Sequence, residues 1–334
     1  MKIALVAANN KQREGIFPAH TLEKLKKFGE LVVNEGDSSP ENVKAVMKDA
    51  DIVITSWGSP KMTKEYLDCA PNLKLIIHAA GTVDPIVGGE TEVWRRGIRV
   101  ISSSIAIGQG VAETALALAI SASKDFYRLN DQIHAGAYRE GVESTVVDMV
   151  DITVGVIGAG MVGKHFIELL SNYDVDIIVA DPYVSEETCA KLGARKVELE
   201  ELLRTSDIIS IHAPSIPETD NMINAETLKL MKKDAGIINT ARGSIINEKD
   251  LYEHMAAGNL RFACLDVYSP EPPVFDNPLR KLRNAILLPH IAGVVNNGLA
   301  RLGRHVLREL DRYEKGEPSV NEYTEEMMFR VGKS

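Results

Sequence analysis

Residues 154–163 read VGVIGAGMVG, and the rest of the chain is read outward from them. Val154 to Ile157 is a short apolar, β-branched run that leads straight into Gly158, Gly160 and Gly163 at G-x-G-x-x-G spacing. A strand that turns at once into a helix over bound pyrophosphate needs three glycines. One makes the tight turn, one lets the backbone approach the phosphates, and one lets the helix pack on the strand. The helix that starts there points its N–H groups and positive dipole end at the same anion. Taken alone, the spacing also fits three purely structural glycines.

The next apolar run, DVDIIVAD (174–181), ends in Asp181, 18 residues beyond Gly163 (163 to 181). An acid at that place meets ribose hydroxyls and repels a 2′-phosphate, so NAD(H) is expected in preference to NADP(H). Asp181 precedes Pro182, and a turn residue is its other reading.

Similar runs recur with helical stretches between them, the pattern of repeated βαβ units and parallel sheets covered on both faces. Strands are expected at Ile3–Ala7, Asp51–Thr55, Leu73–His78 and Ile98–Ser102. A second series is expected at Ile152–Ile157, Asp176–Ala180, Asp207–His212, Gly236–Asn239, Arg261–Asp266 and Ala285–Leu288. Two sheets follow, and 334 residues exceed the size at which one core keeps growing. A cleft between two domains is where chemistry is expected.

Between the series, Gly110–Asn130 is apolar almost all round for three turns and predicts one long helix, either a core helix or one at a subunit interface. The helix Gly298–Glu314 sets Leu299, Leu302, Val306, Leu307, Leu310 and Tyr313 on one face, so it must dock on a domain.

The net charge of −9 gives no basic footprint, and no nucleic-acid partner is expected. Cys69, Cys189 and Cys264 are far apart, which fits packing residues in a reducing compartment and offers no metal-ligand spacing. The N-terminus reads as a first strand rather than a leader. No stretch reaches roughly 18 uninterrupted apolar residues, so no membrane span and a cytoplasmic location are expected.

Polar residues follow the strands of the second series: His212, Thr240 with Arg242, Asp266 with Glu271, and His290. Ligands of open parallel sheets bind at the carboxyl ends of the strands, so these residues converge. Reduction of a ketone by hydride needs a proton donor at its oxygen and, for a keto acid, a cation for the carboxylate. His290 fits the donor, with Glu271 as the carboxylate that favours its protonated form. Arg242 fits the cation, gripping a carboxylate through two parallel N–H bonds and polarising the keto oxygen. Each residue also has a structural reading: a hydrogen-bonded histidine, a solvated loop carboxylate, a surface or capping arginine.

These residues resemble the D-isomer-specific 2-hydroxyacid dehydrogenases. The resemblance rests on PNLKLIIHAAGTVD (71–84), GVAETALAL (110–118), the glycine turn with Asp181, HAPSIPET (212–219), NTARGSIINEKDL (239–251), LDVYSPEPP (265–273) and LLPHIAG (287–293). It covers roughly residues 51–313. It implies an α/β architecture of two Rossmann-like doubly wound parallel-sheet domains. The NAD-binding domain (105–295) would be inserted into a flavodoxin-like substrate domain (1–104 plus 296–334). It further implies a reversible exchange between a small 2-keto acid and its D-2-hydroxy acid, with closure over the cofactor.

In that scheme Met161 and Val162 lend N–H groups to the pyrophosphate and Asp266 sits by the nicotinamide. His212, Ala213, Pro214, Thr219, Thr240, Ala241, Arg242, His290 and Gly293 complete the cofactor site. Ala80 and Gly81 hold the substrate carboxylate with Arg242, His290 also contacts the substrate, and the long helix joins a homodimer interface.

Departures bear on the substrate. Ile216 stands where the family usually has Thr, Asn247 where Asp is common, and Ala80 where Gly is usual. Trp57 is read either as a wall of the substrate pocket or as a buried packing residue. Two rival functions share the scaffold: oxidation of a small anion such as phosphite, and a non-catalytic NAD-sensing binding protein. Formate enzymes place Gln where Glu271 stands, which argues against that branch.

Overall fold

The computed structural model describes residues 1–330. In chain order the strands are β1 (Lys2–Leu5), β2 (Glu30–Val33), β3 (Ile52–Thr55), β4 (Leu75–His78), β5 (Arg99–Ser102), β6 (Val150–Ile157), β7 (Asp174–Ala180), β8 (Arg195–Lys196), β9 (Ile208–Ile211), β10 (Gly236–Asn239), β11 (Phe262–Leu265), β12 (Ala285–Leu287) and β13 (Glu322–Tyr323). They form two sheets, ordered β13-β5-β4-β3-β1-β2 and β12-β11-β10-β9-β6-β7-β8. All pairings are parallel except β13 with β5, a two-residue antiparallel edge. The described residues divide into two compact units, residues 1–107 with 294–330 and residues 108–293.

Each sheet is buried on both faces, and its strands alternate between two cores as a pleat of period two requires. In the first unit Ala4, Val53, Ile76 and Val100 point into one core, while Ile3, Ile52, Ile77 and Ile101 point into the other. In the second unit Ile177, Ile208, Ile238 and Cys264 face one side, and Ile178, Ile209, Ile237 and Leu265 face the opposite side. The first sheet follows the flavodoxin-like order 2-1-3-4-5. Counted from β6, the second follows the 3-2-1-4-5-6 order of dinucleotide-binding sheets, with β12 added as a seventh strand beyond β11. In each, the order reverses beside the first strand, and that reversal opens a crevice at the carboxyl ends.

The long helix differs from its expected bounds. It runs Ser104–Ser123 and stops at Asp125, whose φ of +54° is left-handed; a second helix, Phe126–His134, follows. Asp tolerates that backbone better than most residues. Extended upstream to Ser104, the helix is long and apolar enough to cross a membrane by length and composition, contrary to the expectation that no segment is. Its apolarity has a packing cause, because Ala112, Ala115, Ala119 and Ala122 lie in the core beneath Val154 and Val156. The last long helix is Ala300–Lys315, preceded by a 3₁₀ turn at Asn296–Leu299. Leu302, Val306 and Leu310 are fully buried in the first unit's core with Ile3 and Leu5.

Candidate active site

The glycine turn lies at the second unit's switch point, between the ends of β6 and β9. Each of its glycines has a separate physical reason. Gly158 has φ +88°, and a Cβ there would lie 2.8 Å from the Ala213 nitrogen, so it makes the turn against the end of β9. A Cβ on Gly163 would lie 2.1 Å from the Gly158 carbonyl oxygen, so the helix packs on the strand only through glycine. A Cβ on Gly160 would meet nothing within 4 Å. That open space is what a close-approaching ligand backbone requires, and the fold alone gives no other use for it.

Gly160 is the N-cap of the helix Met161–Leu170, and no side chain caps this end. Met161 and Val162 are its first residues, at the dipole's positive end. Asp181 follows β7 directly. Its Oδ2 accepts from Ala159 N at 2.8 Å and its Oδ1 from Tyr183 N at 2.8 Å. The turn reading of Asp181 therefore holds in the structure, and the same bonds fix its carboxylate beside the glycine turn.

His212 is buried after β9, with Nε2 on Ser210 Oγ at 2.9 Å and its ring 4.9 Å from Phe166. Burial pushes its pKa down to about 3, so the ring is neutral and cannot serve as a proton donor at neutral pH. Two buried polar atoms here have no protein partner, His212 Nδ1 and Thr240 Oγ1. Buried polar groups are nearly always bonded, so two orphans at neighbouring strand ends fit a site that a polar ligand completes. Thr219 does not supply such a free group: its hydroxyl donates to Pro214 O at 2.6 Å and accepts from Ile216 N at 3.0 Å, which shapes its own loop.

Arg242 is exposed on the turn after β10. Asn239 builds that turn, donating to Arg242 O at 2.8 Å and accepting from Ala241 N at 3.0 Å. Arg242 Nη1 donates to Ala241 O at 2.7 Å. A Cβ on Gly243 would lie 2.0 Å from the Tyr268 main chain, so the arginine turn abuts the loop after β11.

That loop carries Glu271, and Glu271 Oε1 hydrogen-bonds His290 Nδ1. His290 has φ +54°, a backbone conformation costly for a non-glycine residue unless its surroundings impose it. They do so from both sides. Tyr268 donates its hydroxyl to Leu288 O at 2.8 Å, before the histidine. Asp266 accepts from Ile291 N at 2.8 Å and Ala292 N at 2.7 Å, after it. Thr114 adds a bond to Ala292 O at 3.1 Å, and the Gly110 backbone packs on Gly293. Asp266 is fully buried, and burial raises its pKa against the lowering effect of the two N–H bonds and His290. Both of its oxygens are engaged in holding the His290 loop.

The Glu271 loop has its own clamp. Glu248 accepts from Ser269 N at 2.8 Å and from Asn277 Nδ2 at 2.6 Å, gripping it on either side of the carboxylate. Asp266, Tyr268, Glu248 and Thr114 thus act as positioning residues. Of these the sequence reading named only Asp266, and for a different role.

In the first unit, Ala80 is buried after β4, and Gly81 O accepts from Ser102 Oγ at 2.6 Å. His78, whose pKa burial lowers to about 4, bonds Thr55 Oγ1 at 2.9 Å and the backbone of Thr82. Trp57 is 37% exposed, which overturns its reading as a buried packing residue.

Comparisons with known proteins agree with this layout. The family described as "D-isomer specific 2-hydroxyacid dehydrogenase, NAD binding domain" matches residues 116–292. The chain is 33% identical over 299 residues to a D-3-phosphoglycerate dehydrogenase of Methanocaldococcus jannaschii, covering 89% of this chain and 56% of that protein. It is 29% identical to a glyoxylate reductase of Korarchaeum cryptofilum, covering 93% and 94% of the two chains. The chain spans about half the length of the curated phosphoglycerate dehydrogenases it matches. A phosphoglycerate oxidoreductase from Rhizobium etli superposes with a TM-score of 0.82 at 22% identity over 96% and 97% of the two chains, a likeness of fold.

Proposed function

Because the chain belongs to the D-isomer-specific 2-hydroxyacid dehydrogenase family, we propose that it interconverts a small 2-keto acid and its D-2-hydroxy acid with NAD(H) as cofactor. The observation that carries this reading is the His290–Glu271 pair, held on a left-handed backbone by Asp266 and Tyr268.

The residues present fit a dinucleotide. Gly160 leaves room for the pyrophosphate, the helix start at Met161 and Val162 faces it, and Asp181 receives the ribose hydroxyls and disfavours a 2′-phosphate. Thr240 and His212 offer buried polar atoms in want of partners, and Ala213, Pro214, Ala241 and Gly293 are assigned to the same cofactor site by their place after the strands. When bound, the nicotinamide supplies or accepts the hydride.

The chain's own residues do the rest. Glu271 engages His290 Nδ1, leaving Nε2 to give a proton to the keto oxygen and to take it back from the hydroxyl in the reverse direction. The carboxylate fixes the ring and its orientation. Arg242 binds the substrate carboxylate and stabilises negative charge as it grows on the oxygen.

A homodimer is part of the reading. The helices Phe126–His134 and Val142–Thr145 bury no residue, and Phe126, Tyr127, Ile133 and Tyr138 are exposed, an apolar surface that a second copy of the chain would cover. A cytoplasmic metabolic enzyme is the matching setting.

Reduction of pyruvate with NADH, followed by chiral separation of the lactate, tests the reaction. D-lactate is expected, with NADPH a poorer donor, and L-lactate would overturn the assignment. NADH binding without turnover of any keto acid would favour the NAD-sensing alternative.

A further inference from the structure

A turn that receives an anion on its main chain must tie its carbonyls behind it, because the C=O and N–H of one trans peptide point in opposite directions. The turn after β4 is built this way. Ser102 Oγ, at the end of β5, donates to Gly81 O at 2.6 Å. The His78 ring, held by Thr55 Oγ1 at 2.9 Å, bonds the Thr82 backbone in the sense that favours a protonated ring, which is donation to the carbonyl. With both carbonyls engaged, the N–H groups of Thr82 and Val83 face the other way. None of the N–H groups of residues 80 to 83 donates to an acceptor within the first unit.

Ser102 is set in turn by a segment far along the chain. Residues 319–323 form a strap along β5. Asn321 O accepts from Ser102 N at 3.1 Å, and Asn321 Nδ2 donates to Ser102 O at 2.9 Å and to Ser104 Oγ at 2.8 Å. Arg99 of β5 grips Glu322 through Nε at 3.1 Å and Nη2 at 2.7 Å. At the start of the strap stands Glu309, buried on the last long helix. A buried carboxylate is costly unless it is bonded, and both oxygens of Glu309 hold the strap: they accept from Ser319 Oγ at 2.6 Å and Val320 N at 3.3 Å. At the far end Tyr323 donates its hydroxyl to Asp84 Oδ1 at 3.1 Å, fixing the acid that follows the turn. The strap thus reaches the turn from both sides, behind Gly81 through Ser102 and beyond Val83 through Asp84. All of these residues belong to the first unit.

Resting on the dehydrogenase reading above, and on the resemblance that gives residues 80 and 81 to the substrate carboxylate, we propose that Ser102, Asn321 and Tyr323 are positioning residues for this turn, so that the segment after the last long helix sets the affinity for the keto acid.

The test measures glyoxylate reduction at saturating NADH, inhibition by oxalate as a carboxylate that does not react, and NADH affinity by fluorescence. The proteins are wild type, Ser102→Ala, Ser102→Thr and Tyr323→Phe. Ser102→Ala is expected to raise the glyoxylate KM and the oxalate Ki about 10-fold, the scale of one hydrogen bond, with kcat within about 3-fold and the NADH Kd within about 2-fold of wild type. Ser102→Thr keeps the hydroxyl and should bring KM back to within about 3-fold. Tyr323→Phe should raise KM and Ki about 3-fold, and, lying at the sheet edge, it carries the test if Ser102→Ala fails to fold. A purely structural role would lower the amount of active protein, and so the apparent kcat, and leave KM in place. That result overturns the inference, as do KM and Ki values within about 2-fold of wild type in both Ser102→Ala and Tyr323→Phe, and either leaves the dehydrogenase reading standing. No turnover of any 2-keto acid by the wild type removes both.

Discussion

Alanine at Gly163 and alanine at Gly160 separate what the fold needs from what the ligand needs. The added Cβ at Gly163 would sit 2.1 Å from the Gly158 carbonyl oxygen, a main-chain atom that no rotamer change can move. An unstrained carbon–oxygen contact is about 3.3 Å, so helix and strand must separate by roughly 1 Å. Overpacking of this kind costs about 3 kcal/mol. In a domain of this size that lowers the melting temperature by about 6–12 °C. The Cβ at Gly160 meets nothing within 4 Å, so Gly160→Ala should change stability by less than about 1 kcal/mol. If pyrophosphate approaches there, the methyl stands in its way, and NADH affinity should fall about 10- to 100-fold, or about 1.4–2.8 kcal/mol. Thermal melts without cofactor and NADH titration by fluorescence give the two readouts. An NADH Kd for Gly160→Ala within about 2-fold of wild type would refute the reasoning, as would a melting temperature as low as that of Gly163→Ala.

Three further changes follow from the same geometry. Asp266→Asn keeps the shape but turns one acceptor of the Ile291 and Ala292 N–H groups into a donor, costing about 1–3 kcal/mol of stability and about 100-fold in kcat with NADH binding little changed; melts and steady-state kinetics check it. His78 and His212 are held neutral, with pKa values lowered to about 4 and about 3. The unfolded chain therefore takes up protons first as pH falls through about 6.5, and each histidine should remove about 2 kcal/mol by pH 5, read as a falling denaturation midpoint between pH 7 and 5. Asp181→Ser should narrow the preference for NADH over NADPH by about 10-fold in kcat/KM, since the acid no longer repels the 2′-phosphate.

What the sequence disclosed follows from how locally each feature is determined. Central strands such as β9 and β10 are short, fully buried, isoleucine-rich runs because both their faces are covered, and they stood out at once. β2 is an edge strand with half-buried residues, and β8 and β13 have two residues each, too short to carry a periodicity. The helix break at Asp125 was hidden because Phe126, Tyr127 and Leu129 prolong the apolar pattern without being buried. At the site, His290 and Glu271 were legible from their chemistry and their place after strands. The work of Glu248 and Tyr268, and the bonds that Asp266 makes, were not legible. Each reaches a partner about 20 or more residues away, and only the folded sheet brings them together.

The most direct measurement is the turnover of glyoxylate with NADH by wild type and His290→Ala, with NADH affinity measured on the same samples. If His290 is the proton donor, turnover falls by about 10²- to 10⁴-fold while the NADH Kd stays within about 3-fold. Turnover by His290→Ala within about 10-fold of wild type, at unchanged NADH affinity, would contradict the account.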